Sequence, residues 1–248
     1  MKILSVLSIS LLALIGSCKK SDNSLSDKSL AAHYSLDGNA NDLSNNKNNG
    51  TVEGAVLTSD RFNAANKAYE FDGINDYIRV PNAPSLNPVN QITVSAWYKT
   101  TPYVGAGNDG LVSKGYTSHV APFYQYHLGV CGSEYWNGQS GFGFTLSLND
   151  KAQGVSTGSG FYKLNQWYFV VGTYDGAAIK LYVNGILINS LETTGTMKDY
   201  GMDLYIARLG NKSDYYNTTF HLPGQVDDVR IYSRALSDKE ILKLYQEK

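Results

Sequence analysis

Residues 179–188 read Ile179-Lys-Leu-Tyr-Val-Asn-Gly-Ile-Leu-Ile188, and their pattern decides the fold class. Ile179, Leu181 and Val183 alternate with Lys180 and Tyr182, the period of two expected of a strand with two unlike faces. Asn184-Gly185 then interrupts the run. That pair accepts the positive φ angles of a type I′ turn, so the segment folds back on itself as a β-hairpin. Working outward, Ile92, Val94 and Ala96 alternate with Thr93, Ser95 and Trp97, and Trp167 to Tyr174 and Val226 to Tyr232 read as further strands. From Ala31 onward short strands are separated by Gly, Asn, Asp and Pro, with no solenoid or propeller repeat. This is an all-β chain, a two-sheet antiparallel jelly-roll sandwich rather than an immunoglobulin type.

Composition agrees: 24 Gly and 19 Tyr with 17% charged residues favour strands and turns, and 42% hydrophobic residues supply a core. A chain of 248 residues can form one such sandwich. The exception to the strand pattern is terminal. Ser237 can cap a helix, Glu240 closes a capping box, and Ile241, Leu244 and Tyr245 form one apolar stripe, which predicts a short C-terminal helix sealing the sandwich edge. The formal charge is −1, and loss of Lys2 with a leader would take it to −2, which excludes an electrostatic footprint for nucleic acid.

The N-terminus has signal-peptide proportions: Met1-Lys2, an apolar run from Ile3 to Ile15, then small residues. Ile15-Gly16-Ser17-Cys18 resembles a bacterial lipobox, in which Cys18 becomes the acylated first residue of the mature protein. An ordinary signal peptide with an incidental cysteine is the alternative. The expected organisation is a lipoprotein signal over 1–17, a polar tether over 18–30 and one domain over 31–248. Acylation places the protein in the cell envelope, lipid-anchored at the outer membrane or cell surface. Cys131 is then the lone cysteine of the domain, so no intramolecular disulfide contributes.

Five separated motifs occur in one order: Tyr34-Ser-Leu-Asp-Gly-Asn-Ala-Asn-Asp, Ala68-Tyr-Glu-Phe-Asp-Gly-Ile-Asn-Asp-Tyr-Ile, Ile92-Thr-Val-Ser-Ala-Trp, Leu181-Tyr-Val-Asn-Gly, and Gly224-Gln-Val-Asp-Asp-Val-Arg-Ile-Tyr-Ser-Arg-Ala-Leu-Ser. Together they resemble the laminin-G-like, concanavalin A-like jelly-roll domains over about Ala31 to Lys248. The resemblance implies two curved antiparallel sheets, a frequent structural calcium, and carbohydrate or protein binding more often than catalysis. Fold alone does not fix function, since this sandwich hosts lectins, glycan-binding modules and glycosidases.

A glycosidase needs two carboxylates flanking a cleft. Relatives that carry them use Glu, any residue, Asp, any two, Glu; here Glu70 and Asp72 are followed by Asn75, so the last carboxylate is missing and no catalytic residue is expected. Residues 36–50 contain Asp37, Asp42 and six asparagines. They lack the Gly and Glu of an EF-hand, yet calcium accepts carboxylate, amide and carbonyl oxygens in irregular geometry. The calcium expectation takes Asp42 and Asp227 as ligands, with Asp37 and Asn49 as further candidates; an Asx-turn loop without an ion is the alternative. Sugar recognition needs aromatic faces beside hydrogen-bonding groups. Glu134, Tyr135 and Trp136 in one loop, Tyr215 and Tyr216 in another, and Tyr126 on a strand meet that need. The function expected is a non-catalytic carbohydrate-binding module with a glycan or polysaccharide partner. A protein-binding or adhesion module, and a glycoside hydrolase with an unrecognised carboxylate pair, are the rivals.

Overall fold

The computed structural model describes residues 27–101, 108–115, 122–131, 141–158, 160–210 and 220–247. Among them the elements run β1 (Leu30–Tyr34), β2 (Thr51–Glu53), β3 (Val56–Thr58), β4 (Ala68–Asp72), β5 (Tyr77–Val80), a 3-10 turn (Pro84–Leu86), β6 (Ile92–Lys99), β7 (Asn108–Gly115), β8 (Tyr124–Cys131), β9 (Gly141–Leu148), β10 (Lys151–Ser156), β11 (Trp167–Tyr174), β12 (Ala178–Val183), β13 (Ile186–Glu192), β14 (Leu204–Ile206), β15 (Pro223–Tyr232) and helix α1 (Asp238–Gln246). All pairings between them are antiparallel. One sheet has the order β13-β12-β11-β6-β15-β4-β3 with β1 also paired to β15; the other is β10-β9-β8-β7-β14-β5-β2. The sandwich expected from alternation is the one observed.

The main core lies between the sheets. Val94, Ala96, Val170, Leu181 and Val226 of the first sheet meet Tyr126, Leu128, Phe142, Phe144 and Leu146 of the second. Alternate residues on these strands therefore point away from the core, which defines an outer face for each sheet. The β12–β13 hairpin turns at Asn184 and Gly185, whose φ angles of 52° and 78° fit the type I′ geometry read from the sequence.

Helix α1 starts at Ser237 with the expected reciprocal capping box to Glu240. It does not seal an edge. Instead Ile241, Leu244 and Tyr245 pack on the outer face of the first sheet, over Trp97, Phe169, Val171 and Tyr182. Trp97 and Tyr245 stack with ring centroids 5.6 Å apart. The helix goes there because β6 and β11 carry large apolar groups on both faces, and the second face needs a cover. The domain also begins earlier than the tether boundary at residue 30. Asp27 pairs with Arg234 at 2.8 Å, and Ser29 accepts the Ser233 N–H at 2.8 Å, so these residues belong to the folded unit.

Candidate functional site

The outer face of the second sheet carries a different chemistry. On β8, Tyr126 and Leu128 point into the core, so Gln125, His127 and Gly129 face outward. A shift in register between Lys114 and Gly115 of β7 lets Tyr124 join that outward side, where its ring stacks on His127 with centroids 4.8 Å apart. Thr145 of β9 pairs with His127, and the same register sets Ser147 opposite Gln125. Gly129 is required here, because a Cβ would come within 2.2 Å of His127 Nε2. Burial holds the imidazole pKa down at about 3, so His127 is neutral at physiological pH and presents one donor and one acceptor. Gln125 Oε1 and Nε2 and Ser147 Oγ are buried and make no hydrogen bond. Such groups each cost about 1–3 kcal/mol unless a water or ligand meets them.

The same face continues through Ser113 of β7, Tyr205 of β14, and Tyr77 and Arg79 of β5, as the cross-strand pairs Ser113–Tyr205 and Tyr205–Arg79 show. Residues 207–209 cross over β7: Ser113 Oγ donates to Leu209 O at 2.7 Å, and Gly110 leaves room for Arg208 O, which a Cβ would approach to 2.4 Å. The Arg208 guanidinium then lies against two rings that also touch each other, 4.6 Å from the Tyr77 centroid and 4.9 Å from that of Tyr205. His221 stands 5.8 Å from Tyr77; burial, and secondly Arg208, push its pKa down to about 4. An antiparallel bridge between Arg208 and His221 closes the base of the 211–219 connection.

Of the residues expected to bind sugar, Glu134, Tyr135, Trp136, Tyr215 and Tyr216 lie outside the described residues. Tyr126 is corrected. It is fully buried in the core, with its hydroxyl donating to Leu86 O at 3.2 Å, because strand alternation turns it inward. Sequence reasoning passed over Gln125, Ser147 and Arg208. The signal for the first was its place between two tyrosines; for Arg208 no local pattern pointed to a site.

The family model of the concanavalin A-like lectin/glucanases superfamily, laminin-G type, matches residues 72–242. The chain belongs to this superfamily. No curated protein matches. Among solved structures, domain 4 of AbnA, a GH43 extracellular arabinanase from Geobacillus stearothermophilus in complex with arabinotriose, has a TM-score of 0.61 and 22% identity, covering 88% of this chain and 98% of that one. The binding domain of Paraclostridial Mosquitocidal Protein 1 reaches a TM-score of 0.66 at 19% identity, covering 88% and 52%. The botulinum neurotoxin serotype G binding domain reaches 0.60 at 15%, covering 87% and 50%. This chain thus spans about half the length of the two toxin domains, and at these identities the likeness is one of fold.

In this concanavalin A-like domain the calcium ligand set does not fit the ion. Asp42 Oδ1 accepts the N–H groups of His33 and Ser44 at 2.9 and 2.8 Å, and Oδ2 accepts Ser44 Oγ and the Asn48 N–H, each at 2.8 Å. A carboxylate has about four lone-pair sites, and these are filled. Asn49 Oδ1 accepts the Asp42 N–H, Asp37 pairs with Lys67 at 2.8 Å, and Asp227 pairs with Arg61. The first and last strands lie side by side, since β1 pairs with β15, and this joins His33 to Asp228 at 2.9 Å. Among the described residues no group of three or more His, Cys, Asp or Glu could hold a metal.

The superfamily's enzymes raise the question of carboxylates. Asp72 accepts the N–H groups of Ile74, Asn75 and Asp76; burial opposes them, but they hold its pKa below the ordinary range, the wrong direction for a general acid. Asp227 and Asp228 do have divergent pKa values. Burial pushes Asp227 up to about 7 against Arg61, whereas at Asp228 the bonds to His33 and Arg230 outweigh burial and hold it below the ordinary range. Both carboxylates are engaged by those partners. In an open groove of about 500 Å³ beside the start of α1, Lys180 pairs with Asp175 and the Tyr182 hydroxyl donates to Asp238.

Proposed function

We propose that the domain is a non-catalytic carbohydrate-binding module whose ligand lies on the outer face of the second sheet. The observation that carries the reading is the row formed by Gln125, Ser147 and the Tyr124–His127 stack. Sugar hydroxyls supply donors and acceptors for the unmet amide and hydroxyl, and a pyranose C–H face suits an aromatic stack. The glycan-bound relative with the same fold lends support. Trp136, Tyr135, Glu134, Tyr215 and Tyr216 are proposed as further glycan contacts on the strength of their residue types. The module is held at the cell envelope by acylated Cys18.

A polysaccharide array probed with residues 27–248 and with Gln125→Ala, His127→Ala and Trp136→Ala tests this. The expected outcome is glycan binding that falls roughly tenfold or more in each variant, as loss of one or two hydrogen bonds or a stacking ring implies, with no product released. Full affinity in all three variants would remove this face from the site. Capture of an envelope protein with silence on every glycan would favour the adhesion reading, which the toxin binding domains of this fold support.

A further inference from the structure

The chain has five arginines, and four are matched to carboxylates: Arg61 to Asp227, Arg79 to Asp203, Arg230 to Asp228 and Glu247, and Arg234 to Asp27 and Glu240. Arg208 differs. Among the described residues its guanidinium has no carboxylate within ion-pair distance, and its buried Nε makes no hydrogen bond. It is half-buried, so its charge is partly desolvated without a counter-ion, a costly arrangement. The residues that precede Arg208 and its bridge partner His221 adopt left-handed angles that side chains other than glycine rarely take, φ 62° at Ala207 and 42° at Phe220, and such outliers gather where function demands a fixed geometry. Two described acids whose charges act on the neighbouring His221 and Tyr205 are committed elsewhere: Asp203 to Arg79, and Asp72 to three backbone N–H groups.

We propose that Arg208 is the docking point for a carboxylate of the ligand, so that the module recognises a uronate-containing, acidic glycan. This rests on the carbohydrate-binding reading and names its ligand class. A guanidinium fork meets a carboxylate in two parallel N–H···O bonds, and contact with the Tyr77 and Tyr205 rings restrains the fork before the ligand arrives. One arginine without a carboxylate among the described residues fits one charge per sugar. A densely sulfated polymer would instead meet a chain whose formal charge is −1 and whose neighbouring Arg79 is already neutralised.

The test measures the affinity of residues 27–248 for polygalacturonate, alginate and glucuronoxylan, each beside its carboxyl-reduced, neutral form, with dextran sulfate as a separate arm. At least one uronate polymer is expected to bind roughly ten- to a hundredfold more tightly than its reduced form, the span of one charge-assisted hydrogen-bond pair. Arg208→Gln should abolish that preference, and Arg208→Lys, which keeps the charge but not the fork, should retain part of it. His127→Ala should weaken charged and reduced forms alike. Melting curves establish that the variants are folded. Equal binding of charged and reduced polymers, a preference that survives Arg208→Gln, or a preference for dextran sulfate over every uronate would overturn the assignment and leave the carbohydrate-binding reading standing. Folded protein that binds neither form would overturn both.

Discussion

At His127 and His221 burial sets the charge state, and stability inherits a pH dependence. Their folded pKa values of about 3 and 4 lie below the unfolded value near 6.5. Between those limits the unfolded chain takes up protons that the folded chain does not, so stability drops as pH falls from about 6.5 towards 4, by about 1–2 kcal/mol per histidine at pH 5. Asp227 acts oppositely: with its carboxyl near 7 it is protonated in the fold over that window and adds stability on acidification. Comparing His221→Gln with the parent isolates one contribution. The variant's melting temperature should fall less steeply from pH 6.5 to 4.5; parallel curves would mean that His221 is not held neutral. Residue chemistry was the least legible level in the sequence. The asparagine-rich run reads as an ion loop with a turn as the alternative, and only the fold shows that Asp42 gathers four protein donors. Arg208 is noticeable only once every other arginine has been matched to its acid.

Elements were legible where period and turn chemistry agreed. The β12–β13 hairpin and strands β6, β11 and β15 follow from alternation and Asn184-Gly185, and α1 follows from its capping box. Destination was harder. An apolar stripe says that a helix buries one side, but whether it meets an edge or a face depends on Trp97 and Phe169, which lie far away in sequence and share a face only through the β6–β11 register. Tyr126 shows the converse failure: a polar neighbour on a strand suggests an exposed aromatic, yet alternation puts it in the core. The cap itself can be measured. Ser237 Oγ accepts the Glu240 N–H, and Glu240 accepts the Ser237 N–H at 2.8 Å. Ser237→Ala should lower unfolding free energy by about 1 kcal/mol. Since α1 covers the opposite sheet from the binding face, glycan affinity should be unchanged; an equal loss of affinity would show that the helix takes part in the site.

At the scale of the molecule the two outer faces divide the work. The first sheet is covered by α1, and the chain enters on that side, where Leu30 packs with the α1 cluster and Asp27 and Ser29 meet Arg234. The second sheet carries the polar and aromatic row. In the proposed reading, Asp27 lies on the covered side of the sandwich, opposite the row proposed to bind glycan. The eight residues from Lys19 to Ser26 span at most about 26–29 Å when extended. Two consequences can be separated by truncation. A Cys18→Ala chain should leave the membrane fraction, and a chain beginning at Asp27 should match the lipidated protein in melting temperature and glycan affinity, because neither change touches the sandwich. Beginning at Ser35 instead removes β1, which pairs with β15 and contributes Ala31, Ala32 and Tyr34 to the core. Loss of three buried side chains and a central strand's neighbour exceeds the stability margin of most domains, about 5–15 kcal/mol, once the β1 hydrogen bonds are counted. That chain should fail to fold. If it melts like the longer one, β1 is dispensable; if Cys18→Ala remains with the membrane, the anchor is not the acylated cysteine.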